Sequence, residues 1–212
     1  MNEKKVNSIP TFSISGCLFM KTADLAGQVP DNNRDLILLC KEGDRVAQYR
    51  LYKQYAHPMY NLCVRMVVDK MEAEDLLQEV FVKIFREIRR FRGECTPGAW
   101  MRRIVINHCL NYLRRKRIVF QNVESLEKED EPDEPDYPEV SPELINRSIG
   151  ELPEGARVVL VLYLLEGYRH ADIAAMLGIS ESTSKSQYRR ALTLLREKFK
   201  VNVTEDWDER KN

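Results

Sequence analysis

The sequence predicts an all-α protein built as two small helical domains joined by a flexible acidic linker. Three observations carry that prediction. Apolar residues recur at helical spacing along most of the chain, and no convincing apolar–polar alternation marks a strand. Charge is sorted in blocks although 33 bases and 33 acids cancel: six bases and no acids from Met101 to Arg117, then ten acids and one base from Ile118 to Glu143. Finally, Pro132, Pro135, Pro138 and Pro142 sit among those acids, a stretch that cannot bury enough apolar surface to offset the entropy of ordering it. The basic block before the acids and a second one after them, from Pro153 to Lys200, suit anionic partners.

The elements follow in order. Residues 1–30 read as a disordered extension with Met20 as an alternative start. Ile14 to Cys17 looks like a lipoprotein cleavage box, but Asn7, Ser8, Pro10 and Thr11 break the apolar run a signal peptide needs. No stretch of about 18 apolar residues follows, so a cytoplasmic protein is expected. The first domain, 31–118, opens with a helix over Arg34–Glu42 stopped by Gly43, then a longer one over Arg45–Val68. Met71 to Arg89 is the clearest helix: Leu76, Val80, Ile84 and Ile88 recur every four residues, flanked by Leu77, Phe81 and Phe85. Gly and Pro make Phe91 to Gly98 a loop, and Pro97 is placed to open a helix that carries Trp100, Ile104 and Leu113 inward and ends near Arg117. The linker spans 119–141, the second domain 142–201 and a tail 202–212.

Within the second domain, His170 to Leu177 is a short amphipathic helix, Gly178 supplies a turn, and Ile173, Leu177 and Ile179 form an apolar wedge. Ser180 is a good N-cap for the next helix, which presents Ser182, Thr183, Lys185, Ser186, Gln187, Arg189 and Arg190. This is a helix-turn-helix whose second helix carries groups suited to phosphates and base edges. In the first domain, Arg102, Arg103 and Arg114 to Arg117 share a helix with Trp100, Asn107, His108, Asn111 and Tyr112. Cations interleaved with aromatic and amide groups suit single-stranded or melted nucleic acid. Trp100 taken singly reads as core, and His108 as a surface residue.

Other chemistries lack their residues. Five cysteines (Cys17, Cys40, Cys63, Cys95 and Cys109) show no zinc-ligand spacing and read as small buried hydrophobes, and the three histidines show no metal spacing. With no phosphate-binding glycine loop and no nucleophile motif, neither an enzyme, a cofactor nor a small-molecule substrate is expected. A duplex-binding regulator would explain Pro153 to Lys200 but not the acidic Asp75 and Glu79 or the basic helix.

The segment "AEDLLQEVFVKIFREIRRFRGECTPGAWMRRIVINHCLNYLRRKR" closely resembles region 2 of the extracytoplasmic-function group of bacterial sigma factors. "LPEGARVVLVLYLLEGYRHADIAAMLGISESTSKSQYRRALTLLREKF" resembles their region 4. The resemblance implies a dissociable subunit that recruits core RNA polymerase, directs it to promoter DNA and promotes melting, and that is held in check by an anti-sigma factor. By position it assigns Asp75, Gln78, Glu79 and Phe81 to the polymerase clamp. It assigns the loop Phe91, Arg92, Gly93, Glu94, Cys95 and Thr96 to a flipped base of the −10 element. Asn107, Asn111, Arg114 and Arg115, with Trp100 on the same helix, would hold the melted strand. Lys185, Ser186, Arg189 and Arg190 would read the −35 element. The chain departs from the pattern at Ser184, where an apolar wedge residue is usual, at Gln187, often an arginine, and at Arg169, where Ser or Thr commonly caps the first helix. Promoter elements two DNA turns apart, at roughly 34–36 Å per turn, lie on the order of 70 Å apart. About two dozen extended linker residues at ~3.3 Å each reach roughly 80 Å.

Overall fold

Asp, Thr and Gly at the helix boundaries draw the first body. Gly43 takes the left-handed conformation (φ 92°) that ends α1 (Arg34–Glu42), and the Asp44 carboxylate accepts from Ala47 N at 2.8 Å to start α2 (Arg45–Val67). Asp69 does the same for α3 (Lys70–Glu87), accepting from Met71 N and Glu72 N. A 3₁₀ turn, Ile88–Arg90, tightens the end of α3. Thr96 caps α4 (Pro97–Arg115) through Ala99 N, with Pro97 where its missing N–H costs nothing. The computed structural model describes residues 33–116 and 142–209, the side chains of 142, 143 and 200–209 excepted. The expected N-terminal extension and acidic linker lie outside the described residues. Among those described, every regular element is helical, which makes the chain all-α.

The spacing of apolar residues decides the packing. In α3, Leu76, Val80, Ile84 and then Ile88 face inward, each at most 4% exposed. They meet Leu51, Met59 and Met66 of α2 and Met101, Val105, Cys109 and Leu113 of α4, all at most 2% exposed. Each such Leu, Ile or Met contributes about 1.5–3 kcal/mol by leaving water. The second body comprises α5 (Pro142–Gly150), α6 (Glu154–Leu160), α7 (His170–Leu177) and α8 (Glu181–Glu209). α6 opens at its end into one wide π turn, Val161–Leu165, closed by Glu166 N donating to Val161 O at 3.0 Å, and Gly167 (φ 72°) then reverses the chain toward α7. Val158, Val159, Val161 and Leu162 pack there with Ile173 and with Ala191 of α8.

The buried residues of both bodies form one continuous apolar cluster. They meet at the C-terminal end of α2, where Gly150 of α5 lies against Val68; a Cβ added there would sit 3.7 Å from Val68 Cγ1. Val68 itself holds φ 69°, a conformation strained for a β-branched residue.

Candidate nucleic-acid interface

Helical periodicity sorts the candidate residues of α3. Asp75, Gln78 and Glu79 are exposed and share a face with Val82, which is 59% exposed. Phe81 is not on that face. It falls on the buried stripe, 3% exposed, with its ring edge-on to Tyr52 at 4.8 Å, so it supports α3 from beneath. Glu79 Oε2 lies 2.7 Å from His108 Nε2 of α4, a pairing not anticipated from the sequence. The exposed acids of α3 thus adjoin the cationic helix.

In the loop, Arg92, Gly93, Glu94 and Thr96 are exposed and Cys95 is half-buried. Gly93 has φ 76° and open space where a Cβ would be. Phe91 is the exception among the expected base-capturing residues. It is 7% exposed, tilted against Trp100 with centroids 5.2 Å apart, and its carbonyl accepts from Lys41 Nζ at 2.7 Å. The pair Phe91–Trp100 is therefore a hydrophobic floor under the loop, with Trp100 partly buried and packed against the core. Along α4, Asn107, Asn111 and Arg114 form one exposed stripe at i, i+4 and i+7, with Arg115 beside it. Arg114 Nη1 donates to Asn111 Oδ1 at 3.0 Å, which fixes the amide's orientation.

The helix-turn-helix forms as expected. Gly178 is left-handed (φ 69°), and Ser180 Oγ accepts from Thr183 N at 3.0 Å. Arg169 provides no side-chain cap to α7. Ser182, Lys185 and Arg189 are exposed, whereas Thr183, Ser186 and Arg190 are half-buried. Lys185 Nζ pairs with Glu181 Oε1 at 2.6 Å, and that contact holds the Glu181 carboxyl below its ordinary value. Gln187, expected among the DNA-facing residues, is 1% exposed: three positions after Ser184, it faces the interior instead.

Ser184 explains how a polar residue replaces the usual apolar wedge. It is fully buried, and its hydroxyl lies 2.9 Å from His170 Nδ1. His170 is stacked on Tyr163 (centroids 4.2 Å, planes 12° apart) and edge-on to Tyr188. Burial, then Lys185 and Arg189, push the imidazole below its ordinary value against the pull of Glu181. The sequence signal of this pair was the departure from the family pattern at Ser184. Among the described residues no group of His, Cys, Asp or Glu is placed to hold a metal ion, and no helix is long and apolar enough to cross a membrane.

These two bodies correspond to two family models, Sigma-70 region 2 over residues 51–118 and Sigma-70 region 4 over residues 143–195. The RNA polymerase sigma-H factor of Pseudomonas aeruginosa is 30% identical over 174 residues, covering 76% of this chain and 90% of that protein. The ECF RNA polymerase sigma-E factor of Escherichia coli is 30% identical over 169 residues, covering 74% of this chain and 88% of its own length. A solved complex of the sigma factor RpoE with the anti-sigma factor NepR from Bartonella quintana aligns with TM-score 0.47 and 21% identity, over 72% of this chain and 96% of that one. The chain belongs to the sigma-70 family, the proteins that direct bacterial RNA polymerase to promoters, and within it to the extracytoplasmic-function group.

Proposed function

We propose that this sigma factor divides its work between the two bodies, residues 31–118 and 142–201, with 119–141 as the strap between them. The exposed face of Asp75, Gln78, Glu79 and Val82 on α3 docks on core polymerase. The loop from Arg92 to Thr96 and the α4 stripe of Asn107, Asn111, Arg114 and Arg115 capture the melted −10 strand. The exposed groups Ser182, Lys185 and Arg189 of α8, with Thr183, Ser186 and Arg190 beside them, read the −35 duplex. The observation that carries this reading is the separation of surfaces. Amides and guanidinia line one exposed stripe of α4 and hydroxyls and cations the exposed face of α8, while carboxylates gather on α3. Amide and guanidinium groups can both read bases and neutralise phosphate. Glu79 lies against His108, and the like-charged Asp75 one turn away is better explained by a basic partner than by self-stability.

Melting follows from capture: a base held outside the stack favours the open strand by its binding energy. A protein that binds polymerase acts where polymerase is, in the cytoplasm. An anti-sigma factor, as family membership suggests, would act by covering one of these surfaces. Run-off transcription with core polymerase on a genomic promoter library tests the whole reading. Transcripts from defined start sites only when this protein is added are expected; binding to duplex promoters without transcripts would instead identify a regulator that does not replace a polymerase subunit.

A further inference from the structure

The loop from Arg92 to Thr96 lies between helices, and α1 reaches both of its ends. At the C-terminus of α1 the Leu39 and Cys40 carbonyls accept from Asp44 N and Gly43 N, and the Lys41 carbonyl accepts from Arg89 Nε at 3.1 Å. A guanidinium there satisfies an end carbonyl and meets the negative end of the helix. Lys41 returns a bond. Its Nζ donates to the Phe91 carbonyl at 2.7 Å and stands 5.9 Å from the centroid of the Phe91 ring, which is itself tilted against Trp100. Two bonds running in opposite directions thus fix the residue from which the loop departs. At the far end, Asn33 Nδ2, just before the first turn of α1, donates to Tyr55 Oη at 3.2 Å. The Tyr55 ring lies where the chain re-enters a helix: a Cβ added to Gly98 would sit 3.1 Å from Tyr55 Cε1. These polar bonds are not what seats α1, because Ile37 and Cys40, 5% and 1% exposed, already bury its inner face.

We propose that Lys41 is a positioning residue for strand capture: with Arg89 it braces the departure point of the loop, so that Arg92 to Thr96 stand ready before a base arrives. The inference rests on the functional reading above, which gives the loop its task. A loop ordered in advance does not have to be ordered by its ligand, and affinity for a captured base falls with the fraction of time the loop is competent. The loop itself supplies little order. Gly93 is left-handed with open space around it, and the Arg92–Glu94 pair, 3.9 Å apart and exposed, contributes little. Order must therefore come from the two ends, and α1 serves both. Phosphate contacts along α4 do not pass through the loop. Lys41 should thus govern which strand is preferred and leave unchanged how strongly any strand is held.

Lys41→Met keeps the stem of the side chain and removes the ammonium. In the full chain with Trp207→Phe, Trp100 is the remaining tryptophan. There Lys41→Met should shift Trp100 emission to the red and raise its quenching by acrylamide, with the helical circular dichroism unchanged. Lys41→Arg, which can still donate to the Phe91 carbonyl, should restore both. The second readout is fluorescence anisotropy of the holoenzyme, rebuilt with core polymerase, on labelled single strands. These carry the −10 segment of a promoter recovered by run-off transcription, either matched or base-swapped. If about a tenth of the unbraced protein holds a competent loop, Lys41→Met should lose roughly tenfold in affinity for the matched strand and nothing for the swapped one. Lys41→Arg should recover that loss, whereas a mere loss of folded protein would lower both strands alike. If Lys41→Met does not fold, Arg89→Gln, at an exposed residue, removes the other half of the brace and should give the same two changes. Unchanged Trp100 emission, or a matched-to-swapped ratio equal to that of the wild type, overturns the proposal. A wild type without strand preference, whose Trp100 still responds to Lys41→Met, would refute the assignment of the loop and leave the brace standing.

Discussion

The His170–Ser184 pair is open to a quantitative test. His170→Phe keeps a ring to stack on Tyr163 but strands the Ser184 hydroxyl, which is fully buried. An unsatisfied buried hydroxyl costs about 1–3 kcal/mol. Ser184→Val restores the apolar wedge usual in the family but strands His170 Nδ1, which is half-buried and can still turn toward water, so a smaller loss is expected. Removing both partners together, in His170→Phe with Ser184→Val, should be nearly neutral, because an apolar pair of similar shape leaves nothing unpaired. The two single losses should therefore exceed the double loss by roughly 1–2 kcal/mol, the coupling energy of residues in contact. Urea unfolding of the full chain, followed by the fluorescence of the tyrosines around His170, measures all four corners of the cycle. A coupling near zero would refute the reasoning. It would mean that the Ser184 hydroxyl is satisfied by its own helix, bonding back to the Ser180 carbonyl, and that His170 is held by stacking alone.

Two further outcomes are expected. Asp75→Lys with Glu79→Lys should abolish co-purification with core polymerase while the circular dichroism of the chain is unchanged; a double variant that still co-purifies would remove α3 from the polymerase contact. Lys185→Ala or Arg189→Ala, each changing an exposed side chain on one face of α8, should relax −35 preference at one position by about 1–3 kcal/mol in a selected promoter library. Arg190→Ala, about 100° around the helix, should weaken all promoters alike and lower the salt slope by about one.

What was legible in the sequence was whatever depends on local spacing. Arg34–Glu42 stops at its glycine, Pro97 opens α4, and Ser180 caps α8, because caps and turns are decided by one or two residues. Which face of a helix is buried was legible too, yet three site residues were assigned by motif against that periodicity. Phe81 and Phe91 are apolar and lie on inward positions, and Gln187 follows buried Ser184 by three. A motif names a segment, and only the stripe says which members of it reach solvent. The contacts between segments were not legible at all. Glu79 with His108, Ser184 with His170, and Glu166 with Arg102 pair residues 29, 14 and 64 positions apart, and no spacing rule reaches across a tertiary contact.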